Sequence, residues 1–223
     1  MIRLLLLDLD NTLFETRSID KSSVQALFDA LQPLLAQRFA PATAQRITDE
    51  LWTTPYDLVA QKHGLDVSFQ QALTQAIERS DFTFDIQAFE DVQLLHQIPM
   101  EKVLVTTGFA KLQWAKIQSL GIASMFSHIY IDDLLDPERS FKKGIFQQIL
   151  AKHQLSPESV MVIGDSPESE LKAGRELEMT TVQFNKLGQP PSLLAQYHLS
   201  HYRDLLPLIQ QLEETSKKQG NNE

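Results

Sequence analysis

The sequence predicts an α/β protein with a doubly wound parallel sheet and a smaller helical domain inserted near its start. Two observations carry that prediction. Short apolar runs alternate with amphipathic helical patterns through most of the chain, and the alternation is interrupted by a long helical stretch between the first run and the second.

Residues 2 to 7 form a nearly continuous apolar run that ends in an acid, the pattern of a strand buried on both faces. Similar runs stand at 102–106, 129–131, 160–163 and 180–184, which makes five strands. Helical patterns separate the later ones: Lys111 to Leu120 closed by Gly121, Lys143 to His153, and Glu168 to Leu177. Strand, helix, strand in regular order implies right-handed crossovers, with the ligand expected at the carboxyl ends of the strands.

Between the first two strands, Val24, Leu27, Phe28, Leu31, Leu34 and Leu35 recur at helical spacing. Pro41 and Pro55 start further helices, Gly64 ends one, and Ser68 with Gln71 predicts a capping box ahead of Phe69, Leu73 and Ile77. Asp85 is expected to cap a helix through Ile86, Phe89, Val92 and Leu95 that returns the chain to the sheet. The predicted division is therefore a core of residues 1–15 and 86–212, a helical cap of 16–85, and a polar, frayed tail of 213–223.

With 223 residues, 43% of them hydrophobic, the chain is long enough for one main core and a satellite domain, and disorder is excluded. Twenty Lys and Arg against 29 Asp and Glu give a formal charge of −9, with no basic run. That balance argues against nucleic acid and anionic membrane surfaces as partners. An anionic substrate then needs a local positive site. The absence of cysteine excludes disulfides and thiolate chemistry, and no apolar stretch approaches a membrane span, so a cytoplasmic location is expected.

The strongest chemical signal is Asp8-Leu9-Asp10-Asn11-Thr12, which the first strand delivers as it reaches its carboxyl end. Residues two apart in an extended chain face the same side, so Asp8 and Asp10 share a pocket, and two neighbouring carboxylates call for a cation. Thr106-Thr107-Gly108 ends the second strand, with a hydroxyl and free N–H groups able to meet an anion. Lys142 and Lys143 precede a helix and can place an ammonium near the strand ends. Gly164-Asp165-Ser166-Pro167-Glu168-Ser169-Glu170 follows the fourth strand; Ser166 is read as the N-cap of the next helix and Pro167 as its first residue.

In order, spacing and strand context, these four segments resemble the signature motifs of the haloacid dehalogenase-like hydrolase superfamily, with its Rossmann-like core and a helical cap inserted after the first motif. The resemblance implies a magnesium-dependent phosphatase of a small phosphorylated metabolite, a nucleoside monophosphate or a sugar phosphate. It makes Asp8 the nucleophile that forms an aspartyl-phosphate and Asp10 the general acid and base, with a pKa matched to the working pH. Thr106 and a lysine would bind the phosphoryl group, with Thr107 and Gly108 beside it. The family's Lys-Pro pattern is absent, so Lys142 and Lys143 both remain candidates, with Lys143 slightly preferred. Asp8, the Asp10 carbonyl and Asp165 would hold Mg²⁺, and Glu170 is a further candidate. A phosphomutase and a catalytically weak binding protein on the same fold are the alternatives, as a monomer or a homodimer.

Substrate choice is expected to lie in the cap. There Arg17, Lys21, Arg38, Arg46, Lys62 and Arg79 are candidate contacts to a second anionic group, and Trp52, Tyr56 and Phe69 are read mainly as cap core. His198 and His201, in a segment resembling a last short strand, are assigned to the surface rather than to a metal.

Overall fold

The computed structural model describes residues 1–52 and 54–220. Six parallel strands form one sheet: β1 (Leu4–Leu7), β2 (Glu101–Gly108), β3 (His128–Asp133), β4 (Val160–Gly164), β5 (Thr180–Phe184) and β6 (Tyr197–Leu199). Their order is β3-β2-β1-β4-β5-β6, which puts β1 at the centre and the short β6 at an edge. The chain therefore reverses direction across the sheet beside β1, the kind of switch point at which α/β proteins bind ligands.

The leucines of β1 show why it is central. Leu4 and Leu6 pack on one face with Val103, Val105, Ile145, Phe146 and Ile149, whereas Leu5 and Leu7 join Leu104, Ile163, Val182 and Phe184 on the other. All four are essentially inaccessible to water, and each stabilises the fold by about 1.5–3 kcal/mol. Helices α6 (Phe141–His153) and α7 (Lys172–Glu176) supply side chains to the first face. Helices α5 (Ala110–Leu120) and α8 (Leu205–Gly220) supply them to the second.

Four helices lie between β1 and β2: α1 (Gln25–Arg38), α2 (Pro41–Glu50), α3 (Tyr56–His63) and α4 (Val67–Arg79). They bury one stripe each, notably Leu27, Leu31 and Leu35 of α1 against Phe69, Leu73 and Ile77 of α4. Pro41 stands at the first turn of α2 and Gly64 closes α3 in the left-handed conformation, as expected.

Four local expectations are corrected. The N-cap of α4 is Asp66, whose Oδ1 accepts the Ser68 N–H at 3.0 Å; Ser68 itself is inside the helix, because an aspartate two residues earlier already satisfies its free N–H. The segment after Asp85 is not a regular helix. Phe82, Phe84 and Ile86 are buried while Asp81, Thr83, Asp85 and Gln87 are exposed, an alternation with period two, and only a 3₁₀ stretch, Val92–Gln97, follows. Ser166 makes no side-chain cap, and the turn after it is a π-type turn over Pro167–Leu171 with Ser169 out of helical geometry (φ −112°, ψ −106°). The polar tail does not fray at residue 213: α8 continues to Gly220, and residues 221–223 lie outside the described part.

Candidate active site

Asp8 is the first residue past β1, and its N–H bonds the Ile163 carbonyl of β4 at 3.0 Å, so its backbone is held between the two central strands. Its buried carboxylate accepts from Lys142 Nζ at 2.6 Å through Oδ1 and from Thr12 Oγ1 at 3.4 Å through Oδ2. The chain then turns sharply. Asn11 adopts φ 55°, a left-handed conformation that Asn tolerates better than most residues, and its Oδ1 accepts the Thr16 N–H at 3.1 Å. Tyr202, from the far end of the chain, locks this turn by donating its buried hydroxyl to the Thr12 carbonyl at 2.9 Å.

Lys142, not Lys143, reaches the site. Its ammonium bridges Asp8 and Glu170 Oε2, at 2.6 and 2.7 Å. Lys143 points outward and pairs with Glu176 on the surface. One step along a helix turns a side chain by about 100°, so only one of two adjacent lysines can face the sheet. Lys142 is further positioned by Phe141, which holds φ 55° before it and is covered by the Arg139 guanidinium, 4.4 Å from its ring centre.

Glu170 is almost inaccessible to water. Besides Lys142, it accepts the Ser166 N–H at 2.7 Å through Oε1, the reverse of the serine cap expected there. The π-type turn brings this side chain back over β4. Gly164 makes room for it: a Cβ at that position would overlap the Glu170 carboxylate. Asp165 is half-buried next to them, with Oδ2 accepting from Gln189 Nε2 at 3.3 Å.

Asp10 sits in a different environment. Lys116 Nζ lies 2.7 Å from its Oδ1, Thr16 Oγ1 donates to the same oxygen at 3.1 Å, and Gln113 Nε2 donates to Oδ2 at 2.8 Å. The Gln113 amide also reaches Thr106 Oγ1 at 2.6 Å and the Thr107 carbonyl at 3.1 Å. Gly108, with φ 157°, lets Gln113 approach, since a Cβ there would stand 2.8 Å from Gln113 Cδ. Thr106 is fully buried, and Thr107 turns away to donate to Asp132 Oδ2 at 3.1 Å.

The two aspartates titrate in opposite directions. Burial pushes Asp8 up to about 8; Lys142 opposes this, and the charges of Glu170, Asp165 and Asp10 add to it. Burial and Glu170 likewise push Asp165 up to about 7. For Asp10 burial also works against the carboxylate, but Lys116, Gln113 and Thr16 outweigh it and hold its pKa below the ordinary value. Burial disfavours the charged form of Lys142, yet Asp8 and Glu170 together hold its pKa above the ordinary lysine value.

Asp8, Asp165 and Glu170 each present a carboxylate oxygen, all within 4.8 Å of one another. This donor set is made of oxygen alone, with more negative charge than one ammonium neutralises. Such chemistry suits a hard divalent cation of the Mg²⁺ type. A second group, Glu101, His128 and His153, stands at the amino ends of β2 and β3, the opposite edge of the sheet.

Above the strand ends a cavity of about 600 Å³ separates the sheet from the inserted helices. Asp10, Gln113, Lys116 and Asp165 line one side of it, and Leu27, Phe28, Leu31 and Trp52 the other. Arg17 is the one proposed anion contact of the insert that reaches this cavity among the described residues. Arg38 pairs with Asp66, Lys62 with Glu50, Arg46 donates to Thr43, and Lys21 lies 5.2 Å from the Trp52 ring centre. Trp52 and Tyr56 face the cavity, whereas Phe69 is buried in the packing of α4.

Sequence reasoning passed over Gln113, Lys116 and Arg139. Gln113 and Lys116 are three apart on α5, hence on one face, directly after the Thr106-Thr107-Gly108 segment. That polar pair on the face turned to a strand end was the available signal. Arg139, which binds both Asp132 and Asp57, had no local signature.

Residues 2–177 match the family model for haloacid dehalogenase-like hydrolases. Over 232 aligned positions, covering 95% of the chain and 99% of its relative, the sequence is 22% identical to a glyceraldehyde 3-phosphate phosphatase of Methanopyrus kandleri. A protein of the same name from Pyrococcus furiosus is 29% identical, over 53% of this chain and 49% of its own. Among solved structures, a HAD phosphatase from Thermococcus onnurineus superimposes with a TM-score of 0.63 at 17% identity, covering 93% of this chain and 98% of its own. The HAD-hydrolase YfnB of Bacillus subtilis, bound to magnesium, does so with 0.61 at 18%, with the same coverage of both chains. With the family model spanning most of its length, the chain belongs to the haloacid dehalogenase-like hydrolases.

Proposed function

We propose that this hydrolase is a phosphomonoester phosphatase that works through an aspartyl-phosphate on Asp8 and depends on Mg²⁺. The observation that carries the reading is the pairing of Asp8 with Lys142 at 2.6 Å, beside an Asp10 that Lys116 and Gln113 hold in place at the mouth of a ligand-sized cavity. The phosphatase names of two relatives support it.

Asp8 attacks phosphorus with a carboxylate oxygen, forming the new P–O bond while the bond to the leaving oxygen breaks. Lys142 offsets charge on the transferring group, and Glu170 keeps that ammonium oriented. Gln113 occupies an acceptor site of Thr106 Oγ1, so the Thr106 hydroxyl proton remains available to a phosphoryl oxygen. Asp10 must first take up a proton against the pull of Lys116, Gln113 and Thr16; it gives that proton to the leaving oxygen and regains one from the water that attacks phosphorus, which releases inorganic phosphate and free Asp8. Asp8, Asp165 and the Asp10 carbonyl would hold the Mg²⁺, with Glu170 within reach, and the ion would neutralise charge on the phosphoryl group.

The test is phosphate release from a panel of monophosphates with and without Mg²⁺. Asp8→Asn is expected to abolish release and Asp10→Asn to lower it at least a hundredfold. Release from Asp8→Asn equal to wild type would refute the covalent route.

A further inference from the structure

Resting on that phosphatase reading, we propose that the physiological substrate is the monophosphate of an apolar alcohol, aryl or branched alkyl, rather than of a triose or another polyhydroxylated metabolite. The cavity has two chemically distinct walls. Its sheet side offers Asp10, Asn11, Thr107, Gln113, Lys116 and Asp165, all at or beside the strand ends. Its insert side is built from Leu27, Phe28 and Leu31 of α1, Leu51 and Trp52 after α2, and Leu73 of α4.

Phe28 and Trp52 stack with ring centres 4.7 Å apart, which gives that wall a broad, stiff aromatic surface. Both remain partly exposed, toward the cavity they line. A volume of about 600 Å³ lies within the range that holds drug-sized ligands. Leu27, Leu31 and Leu73 lie behind as buried backing, and a three-carbon phosphate would leave the partly exposed Phe28, Leu51 and Trp52 facing water.

The polar inventory points the same way. Lys116 is engaged by Asp10, so among the described residues Arg17, which is exposed, is the single other lining cation that a second anionic group could meet. Sugar hydroxyls against Phe28, Leu51 and the Trp52 ring would lose their hydrogen bonds to water and gain none, which disfavours them. An apolar body there instead removes its own surface and that of the wall from water.

Calorimetric titration of the Mg²⁺-loaded wild-type protein with methyl-, propyl-, pentyl- and benzylphosphonate tests this without turnover. Affinity is expected to tighten about threefold per added methylene, and benzyl to exceed methyl by at least thirtyfold; a flat series overturns the inference. In turnover, benzyl phosphate is expected to surpass glyceraldehyde 3-phosphate in kcat/KM by at least tenfold, and Trp52→Ser or Phe28→Ser to shrink that ratio. A chain-length-dependent phosphonate series with no hydrolysis of any monophosphate would sustain the apolar site and refute the phosphatase reading. Preferred hydrolysis of glyceraldehyde 3-phosphate, or of a nucleoside monophosphate, would leave the phosphatase reading standing and overturn this one.

Discussion

Lys116 and Asp10, 106 positions apart in the chain, meet in an ion pair of 2.7 Å. The two aspartates of the Asp-x-Asp segment differ chemically: Lys116 lowers the proton affinity of Asp10, while burial raises that of Asp8 in the metal-free protein. Both acids have an ammonium partner, but at Asp8 burial and the charges of Glu170, Asp165 and Asp10 outweigh Lys142, whereas at Asp10 Lys116, Gln113 and Thr16 outweigh burial.

If Lys116 stabilises the Asp10 carboxylate, Lys116→Met should raise the pKa of that group. The limb of the kcat/KM profile that reports loss of the Asp10 proton, the basic one for a group acting as acid, is expected to move to higher pH. Lys116→Arg should restore most of the original profile. An unmoved limb would show that Asp10 does not control it.

The two lysines at the start of α6 should behave oppositely. Lys142→Met leaves Asp8 and Glu170 buried without their cation, which should cost about 3 kcal/mol of stability and most of the activity. Lys143→Ala breaks an exposed pair with Glu176, so its effect should stay below about 1 kcal/mol with turnover unchanged. Chemical denaturation and phosphate release measure both.

Metal and pH should be linked through the acidic cluster. Asp8 and Asp165 have an ordinary carboxylate value of 3.8 when unfolded and are pushed up to about 8 and about 7 in the folded protein. Between those limits the folded state binds protons that the unfolded state does not. Their contribution to stability is therefore greatest at low pH and declines as pH rises toward 8. The Tm of metal-free protein should fall from pH 5 to pH 8, and the rise on adding Mg²⁺ should be larger at pH 8, since the ion replaces protons there. An equal Mg²⁺ shift at both pH values would contradict this linkage.

Arg139 joins the sheet to the insert, binding Asp132 near the end of β3 and, at 2.9 Å, Asp57 of α3. Asp132 is only 3% exposed. Arg139→Met would strand that carboxylate and is expected to destabilise the protein by about 3 kcal/mol. It should also raise KM, because α3 contributes Tyr56 to the cavity wall. Arg139→Lys should recover only part of the loss, as one ammonium cannot reproduce the forked contact. Thermal denaturation and steady-state kinetics separate the two effects.

Much of this architecture was legible beforehand. The runs that became β1, β2 and β4 are apolar on both faces, and a strand covered by helices on both sides favours such composition whatever its neighbours. Positions set by alternation were harder to read: Phe82, Phe84 and Ile86 suit a helix by content, yet their period of two resolves as extended chain. The choice between Lys142 and Lys143 turned on the rotation of α6, which depends on Phe141 and on the packing of Ile145 and Phe146 beneath it.

By itself the sequence determined the alternation of strands and helices, the long helical insert, and the placing of Asp8, Asp10, Thr106 and Asp165 at strand ends, because strand periodicity and turn chemistry are local. Only the tertiary structure decided which ammonium meets Asp8, that Gln113 and Lys116 clasp Asp10, that Glu170 folds back beneath Lys142, and that the insert turns an apolar wall toward the site. Those contacts join residues far apart in the chain, and their geometry follows from how helices rotate and pack on the sheet, which no local pattern encodes.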